Sequence, residues 1–334
     1  MSNMLIEVKG ISKTFKISGR SQGITAMITN MLKPKYIYKK AVNCIDFSID
    51  EGEMVGFIGP NGAGKSTTIK MLSGILHPDS GDIKIAGYIP YKQRKKYVAN
   101  IGVVFGQKTQ LSWDLPLIES FELLKHIYKI PNEKYEENLN KFTKLLNMEE
   151  FINQPVRQLS LGQRMRGDIA AALLHSPKIV FFDEPTIGLD VVAKEKIRDF
   201  IKYLNKTERI TMIFTTHDMQ DIEKVCNRLI IIDKGEKIYD GGIEEIKNNY
   251  GTSRTIEVEF EDDLDLEPID NVEIEAIEDE NKFKKRFIFD TSKVNINNFM
   301  TKLISKYTIK DVSIKEPEID GIIRDIYEGS INVQ

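Results

Sequence analysis

An α/β fold built on a mostly parallel central sheet, with a smaller α+β domain after it, is the class this sequence predicts. Three observations carry it. KIVFFD at 178–183 and RITMIFTT at 209–216 are apolar, β-rich runs of the kind that parallel strands buried on both faces show. The strand-like EMVGFI at 53–58 passes through a glycine-rich loop straight into a helical pattern. Near Gly251 the composition changes, and short acidic strands begin to alternate with helices.

The elements follow in order. Residues 4–15 alternate enough for a strand. In ITAMITNML, Ile24, Met27, Ile28, Met31 and Leu32 fall on one helical stripe, and Pro34 stops it. That stripe packs on its own domain or meets a partner or lipid. Residues 42–50 and 53–60 read as strands, and 117–176 is mostly helical. After Gly251 the order is strand (TIEVEF), strand (VEIEAI), strand (KRFIFD), helix (NINNFMTKLISKY), strand (IKDVSI) and helix (EIDGIIRDIYEG).

The bulk numbers bound the function class. The chain has 334 residues, 41% hydrophobic and 29% charged, with a net charge of −3, which argues against bulk electrostatic binding to nucleic acid. Two cysteines, Cys44 and Cys226, are too few for a disulfide framework and point to a reducing compartment. MSNMLIEVKG has no apolar core of a signal peptide, and no window approaches the ~20 apolar residues of a membrane span. Charge is uneven: residues 9–45 hold eight Lys/Arg and no acid, whereas 257–280 hold 13 acids and no Lys/Arg. These are two solvated faces, or the basic one is a docking surface.

GPNGAGKST at 59–67 fits G-x-x-x-x-G-K-[ST] between a strand and a helix. Gly59, Pro60, Asn61, Gly62, Ala63, Gly64, Lys65, Ser66 and Thr67 are therefore the candidate phosphate cradle. Gly62 and Gly64 let the backbone curl with its N–H groups inward, and the helix adds its positive end. Lys65 reaches the β- and γ-phosphates, and Ser66 ligates Mg2+. Asp183 and Glu184 end the strand KIVFFD. Asp183 is placed to hold Mg2+, and Glu184 is the natural general base for an attacking water. His217 ends the strand RITMIFTTH, where its ring N–H can donate to a γ-phosphate and orient the water. Gln107 lies at another strand end, a candidate for both Mg2+ and water. Phe15 is the candidate to stack on adenine, with Tyr36 and Tyr38 as alternatives and a core role for Phe15 also open.

With these residues assembled, the chain resembles the ATP-binding subunit of ABC transporters. The resemblance covers roughly residues 4–245 and rests on ordered motifs: GPNGAGKST, Gln107, LSLGQ at 159–163, FFDEP at 181–185, IGLD at 187–190 and His217. More narrowly, GVVFGQKTQLSWDLP followed by RQLSLGQRMR looks like the ATPase subunits of ABC-2-type exporters. The family implies a P-loop ATPase core (4–245) with an antiparallel β subdomain and a helical subdomain (117–176), and a small accessory domain at 252–330. The segment 18–40, with its amphipathic helix, departs from the family's minimal pattern.

The resemblance implies a homodimer, or a heterodimer with a similar subunit, that closes around two ATP molecules. Lys65 of one subunit binds the ATP that Ser160, Gly162 and Gln163 of the other cap, and Asp190 links the two sites. It also implies a separately encoded membrane permease, export of a drug, lipid or similar amphipathic cargo, and a cytoplasmic place on the inner face of the membrane. Residues 113–116 (WDLP) fall where the family receives the permease, although Trp113 can equally be a core aromatic. Soluble ABC proteins of ribosomes usually carry two cores in one chain, and those of chromosomes a long coiled coil; this chain has neither. The family's usual Gly stands here as Leu161. An ordinary helical φ is expected there, with the side chain turned from ATP.

Overall fold

The computed structural model describes residues 4–18, 36–251, 253–262, 266–276, 283–291, 293–315 and 319–328. The chain divides into two compact units, Met1–Gly241 and Gly242–Gln334.

In the first unit, β1 (Met4–Ser18) pairs antiparallel with β2 (Tyr36–Asp50) and with β4 (Ser80–Ile85) to form a three-stranded sheet. The central sheet has six strands in the order β5-β6-β7-β3-β8-β9. They are β3 (Met54–Ile58), β5 (Ile101–Phe105), β6 (Ile179–Asp183), β7 (Thr211–Thr215), β8 (Arg228–Asp233) and β9 (Glu236–Gly242). The pairs β5–β6, β6–β7, β7–β3 and β3–β8 are parallel. Every residue of β3 and β7 is buried, which is why those runs lack polar alternation. Ile6, Val8, Ile11, Val42 and Phe47 of the small sheet meet Phe57, Phe181, Ile213 and Ile230 of the central sheet in one apolar cluster. Helix α1 (Lys65–Leu72) adds Ile69, Met71 and Leu72 to it. The helical part holds α2 (Leu117–Tyr128), α3 (Asn132–Leu145) and α4 (Leu161–Leu173), and α5 (Val191–Glu208) and α6 (Met219–Val225) follow.

The strands reach further than the sequence pattern does. Residues 36–40, counted with the insertion, are strand: Lys40 faces Thr14, Lys39 faces Phe15 and Tyr36 faces Ser18. They are exposed, so no apolar alternation marks them, and pairing with β1 supplies the order instead. The helix expected over 24–32 lies outside the described residues. Among the described residues, no helix is long and apolar enough to cross a membrane.

The second unit is a four-stranded antiparallel sheet, β11-β12-β10-β13, from β10 (Ser253–Phe260), β11 (Val272–Ala276), β12 (Lys284–Asp290) and β13 (Ile309–Lys315). It carries α7 (Ile243–Tyr250), α8 (Ile296–Lys306) and α9 (Ile319–Tyr327). Ile256, Val258, Phe260, Phe287, Phe289, Phe299 and Leu303 form its own core. Part of the acidic run is answered from within this unit. Glu257 takes Arg286 at 3.0 Å and Lys315 at 2.8 Å, Glu259 takes Lys310 at 2.5 Å, and Glu267 takes Lys306 at 2.5 Å. The Lys315 ammonium, joined by Arg286, holds the Glu257 carboxyl below its usual range.

Candidate nucleotide site

The phosphate loop turns between the end of β3 at Ile58 and the start of α1 at Lys65. Gly62 has φ +84° and Gly64 φ +110°, a region L side chains rarely enter. A Cβ on Gly64 would also lie 2.5 Å from the Ala41 carbonyl oxygen, so only glycine fits. Gly64 is the N-cap of α1 and offers no side-chain cap, which leaves the first N–H groups of the helix for an anion. The Lys65 ammonium is buried and donates to the Gly59 carbonyl at 2.5 Å and to that of Pro60 at 3.3 Å. Burial pushes its pKa down, while Glu184 and Asp183 pull it back up.

The acid pair stands opposite. Asp183 is the last residue of β6, and its Oδ1 accepts from Thr215 Oγ1 at 2.8 Å and from Ser66 Oγ at 3.3 Å. Glu184 follows with φ +57°, uncommon outside glycine, and its backbone N–H donates to the Thr215 carbonyl at 3.0 Å. A Cβ on Gly106 would collide with the Glu184 carbonyl oxygen, so the loop after β5 approaches as only glycine allows. His217 Nε2 stands 2.6 Å from Glu184 Oε1, so the ring N–H donates to the carboxylate. His217 and Gln107 each lie just past the strand end where the sequence placed them, since β7 stops at Thr215 and β5 at Phe105.

Two cavities meet here and share Ser66 and Glu184. One, of about 370 Å3, is lined by Ser66, Gln107, Asp183, Glu184 and neighbours of Gln107. The other, of about 280 Å3, is lined by Phe15, Lys39, the loop residues Pro60, Asn61, Gly62, Gly64, Lys65, Ser66 and Thr67, and Glu184. Of the three aromatic alternatives, Phe15 lines it. Directly paired residues of a ladder share a face, and successive residues alternate. Tyr38 pairs with Lys16 and Tyr36 with Ser18, so both lie on the face opposite Phe15. The Lys16 ammonium sits 3.6 Å from the Tyr36 ring centre on that other face.

Ser160, Gly162, Gln163 and Asp190 line neither cavity. Ser160 caps α4: its Oγ accepts from the Gln163 N–H at 3.2 Å, and Gln163 Oε1 accepts from the Ser160 N–H at 2.9 Å. Asp190 caps α5 by accepting from the Ala193 N–H at 2.9 Å. Leu161 opens α4 and is absent from the non-glycine residues with positive φ. Its Cδ2 lies 3.1 Å from where a Cβ on Gly188 would stand, so the side chain leans on the IGLD loop.

The family model described as "ABC transporter" matches residues 42–187. The chain is 35% identical over 207 residues to the ABC transporter ATP-binding protein NatA of Bacillus subtilis (strain 168), covering 62% of this chain and 84% of that protein. It is 34% identical over 227 residues to the linearmycin resistance ATP-binding protein LnrL of the same organism, covering 68% and 72%. Relatives named for import and for export also match, at 30% and 31% identity. A dimeric structure of a bacterial ABC transporter cassette superposes with a TM-score of 0.60 at 28% identity, covering 72% of this chain and 99% of the cassette.

This chain is an ABC transporter ATP-binding protein.

As an ABC ATPase it hydrolyses ATP in support of transport, and cassettes of this kind dimerise and partner with membrane permease subunits. Among the described residues of this cassette, no group of three or more His, Cys, Asp or Glu is placed to hold a metal. One carboxylate beside one hydroxyl, as in Asp183 and Ser66, suits Mg2+, which keeps its waters and shares phosphate oxygens. Trp113 is 51% exposed with the Arg164 guanidinium 5.6 Å over its ring, so it is not the core aromatic the sequence also allowed. Sequence reading passed over Lys39, which lines the phosphate cavity, and Thr215, which ties Asp183 to Glu184. For Thr215 a signal existed, a polar residue closing an apolar strand; for Lys39 no motif marks it.

Proposed function

We propose that the chain powers a separately encoded ABC-2-type permease, exporting a drug, lipid or similar amphipathic molecule from a peripheral place on the inner face of the cell membrane. Two copies close around two ATP molecules. In each site the loop at 59–67 cradles the phosphates, and Phe15 covers the adenine. The partner copy's Ser160 and Gly162, at the N-terminus of α4, face the γ-phosphate. Gln163 holds Ser160 in the capping box, and Asp190 lies beside the junction of the two sites.

The observation that carries this reading is the Glu184 carboxylate, which lines both cavities and stands 2.6 Å from His217. Glu184 takes a proton from water as its oxygen bonds to the γ-phosphorus and the bond to the β-phosphate oxygen breaks, giving ADP and phosphate. His217 and Gln107 orient that water. Ser66 and Asp183 would hold Mg2+, which neutralises phosphate charge when bound. The exposed Trp113 and Leu115 offer the permease an apolar footing beside Gln107. The sense of export and the amphipathic cargo are supported by the likeness to the linearmycin resistance protein and to the exporters' sequence pattern.

Glu184→Gln tests the assignment. A positioned base supplies roughly 10²–10⁴ in rate, so turnover should fall by that factor while ATP still binds and the dimer accumulates on a sizing column. Wild-type turnover in the variant would remove Glu184 from the role. Co-purification with the permease encoded nearby, and stimulation of ATPase by amphipathic compounds, test the partner and the cargo.

A further inference from the structure

The arm formed by β1 and β2 carries a lysine that the motif reading does not use. Lys39 pairs directly with Phe15, so both side chains leave the ladder on the same face, the face that closes over the phosphate loop. Lys40, its neighbour, pairs with Thr14 and turns to the other side. The Lys39 ammonium stands 3.9 Å from where a Cβ on Gly62 would be, directly over the tip of the loop. It is exposed and has no ion-pair partner among the described residues. A solvated lysine on an open strand needs no such position. Here a cation without an ion-pair partner among the described residues overhangs a turn whose glycine conformation directs N–H groups inward, and it lines the same cavity as the buried Lys65.

The geometry points to Lys39 as a second phosphate-binding cation, reaching the nucleotide's phosphate chain from the solvent side while Lys65 holds it from within. The inference rests on the nucleotide occupying this pocket as proposed above. The cross-strand pair then works as one clamp. Phe15 covers the base and Lys39 neutralises the phosphates, so one ladder register sets the distance between base and charge. ATP and ADP both carry the phosphates nearest the base, so Lys39 strengthens the binding of both. Being exposed, its contribution falls with salt, unlike that of Lys65.

The test uses the full chain and measures dissociation constants for ATP, ADP and adenosine by calorimetry from about 50 to about 300 mM salt. Lys39→Met should weaken ATP and ADP by roughly three- to tenfold at low salt, the range of one charge-assisted contact at a surface, and leave adenosine unchanged. Lys39→Arg should restore most of the loss. The ATP affinity of Lys39→Met should also depend less on salt than that of the wild type. ADP binding that is unchanged in Lys39→Met, with Lys65→Met losing nucleotide, would overturn the inference and leave the pocket assignment standing. A loss seen only for ATP, in a dimer trapped by Glu184→Gln, would overturn it too, by moving Lys39 to the subunit interface. Unchanged binding in both Lys39→Met and Lys65→Met would instead sink the pocket assignment itself.

Discussion

Asp168 is the buried acid of the helix that Ser160 caps, and it looks back at the loop that carries Gln107. Its Oδ1 accepts from Thr109 Oγ1 at 2.9 Å and from the Gln110 N–H at 3.0 Å, and Gln110 Nε2 donates to its carbonyl at 3.1 Å. Burial pushes its pKa up to about 6, against those hydrogen bonds, which pull it down. A folded-state pKa above the unfolded one means that the protonated form is favoured by folding. The stabilising effect is full below the unfolded pKa and is lost as pH rises through about 6. Asp168→Asn keeps the shape and the acceptor but removes the titration. Between about pH 5 and pH 7.5 the variant should therefore gain about 1 kcal/mol on the wild type. Thermal melts of both proteins across that range check it. A difference in Tm that stays flat with pH would mean that Asp168 is ionised throughout.

At the scale of the element, α4 concerns its first turn. Leu161 holds the helix against the IGLD loop through Gly188, and Gly162 leaves a bare backbone with the Ala193 Cβ 3.3 Å from where its own Cβ would be. Leu161→Gly should keep ATPase activity and lose about 1 kcal/mol of stability, the cost of glycine in a helix. Gly162→Val should abolish steady-state ATPase while monomeric chains still bind nucleotide, because a branched side chain would stand between the helix end and the partner's phosphate. Equal tolerance of both changes in an ATPase assay would sink this account of the first turn. The same helix shows what a sequence can and cannot reveal. S-x-x-Q at 160–163 is a local pattern, and the capping box it describes is formed. The phosphate loop and the Asp183–Glu184 pair are likewise contiguous, so spacing alone places them. Asp168 meets Thr109 across 59 residues of chain, and no spacing rule spans that. The choice between Phe15, Tyr36 and Tyr38 needed a ladder register, which the exposed strand at 36–40 does not encode in its hydrophobicity. Lys39 stayed hidden for the same reason.

On the scale of the whole molecule, a net charge of −3 conceals two units of opposite sign: residues 1–241 hold 35 Lys/Arg against 28 Asp/Glu, and residues 242–334 hold 12 against 22. Within the acidic run, Glu257, Glu259, Glu267 and Glu275 find cations on β12, β13 and α8 of the same unit, which offsets part of its charge locally. Each unit also closes its own core: Ile256, Phe260, Phe287 and Phe299 in the second, and the two-sheet cluster around Phe57 and Phe181 in the first. β9 completes the central sheet at Gly242, where the second unit begins. A chain ending at residue 242 should therefore fold and bind ATP within about twofold of the full chain, since every residue of the phosphate cavity precedes the cut. Calorimetry of the full chain should resolve two transitions, and binding of ATP should raise the one that survives truncation. A single transition that disappears in the shortened chain would show instead that the second unit is part of the cassette's folding core.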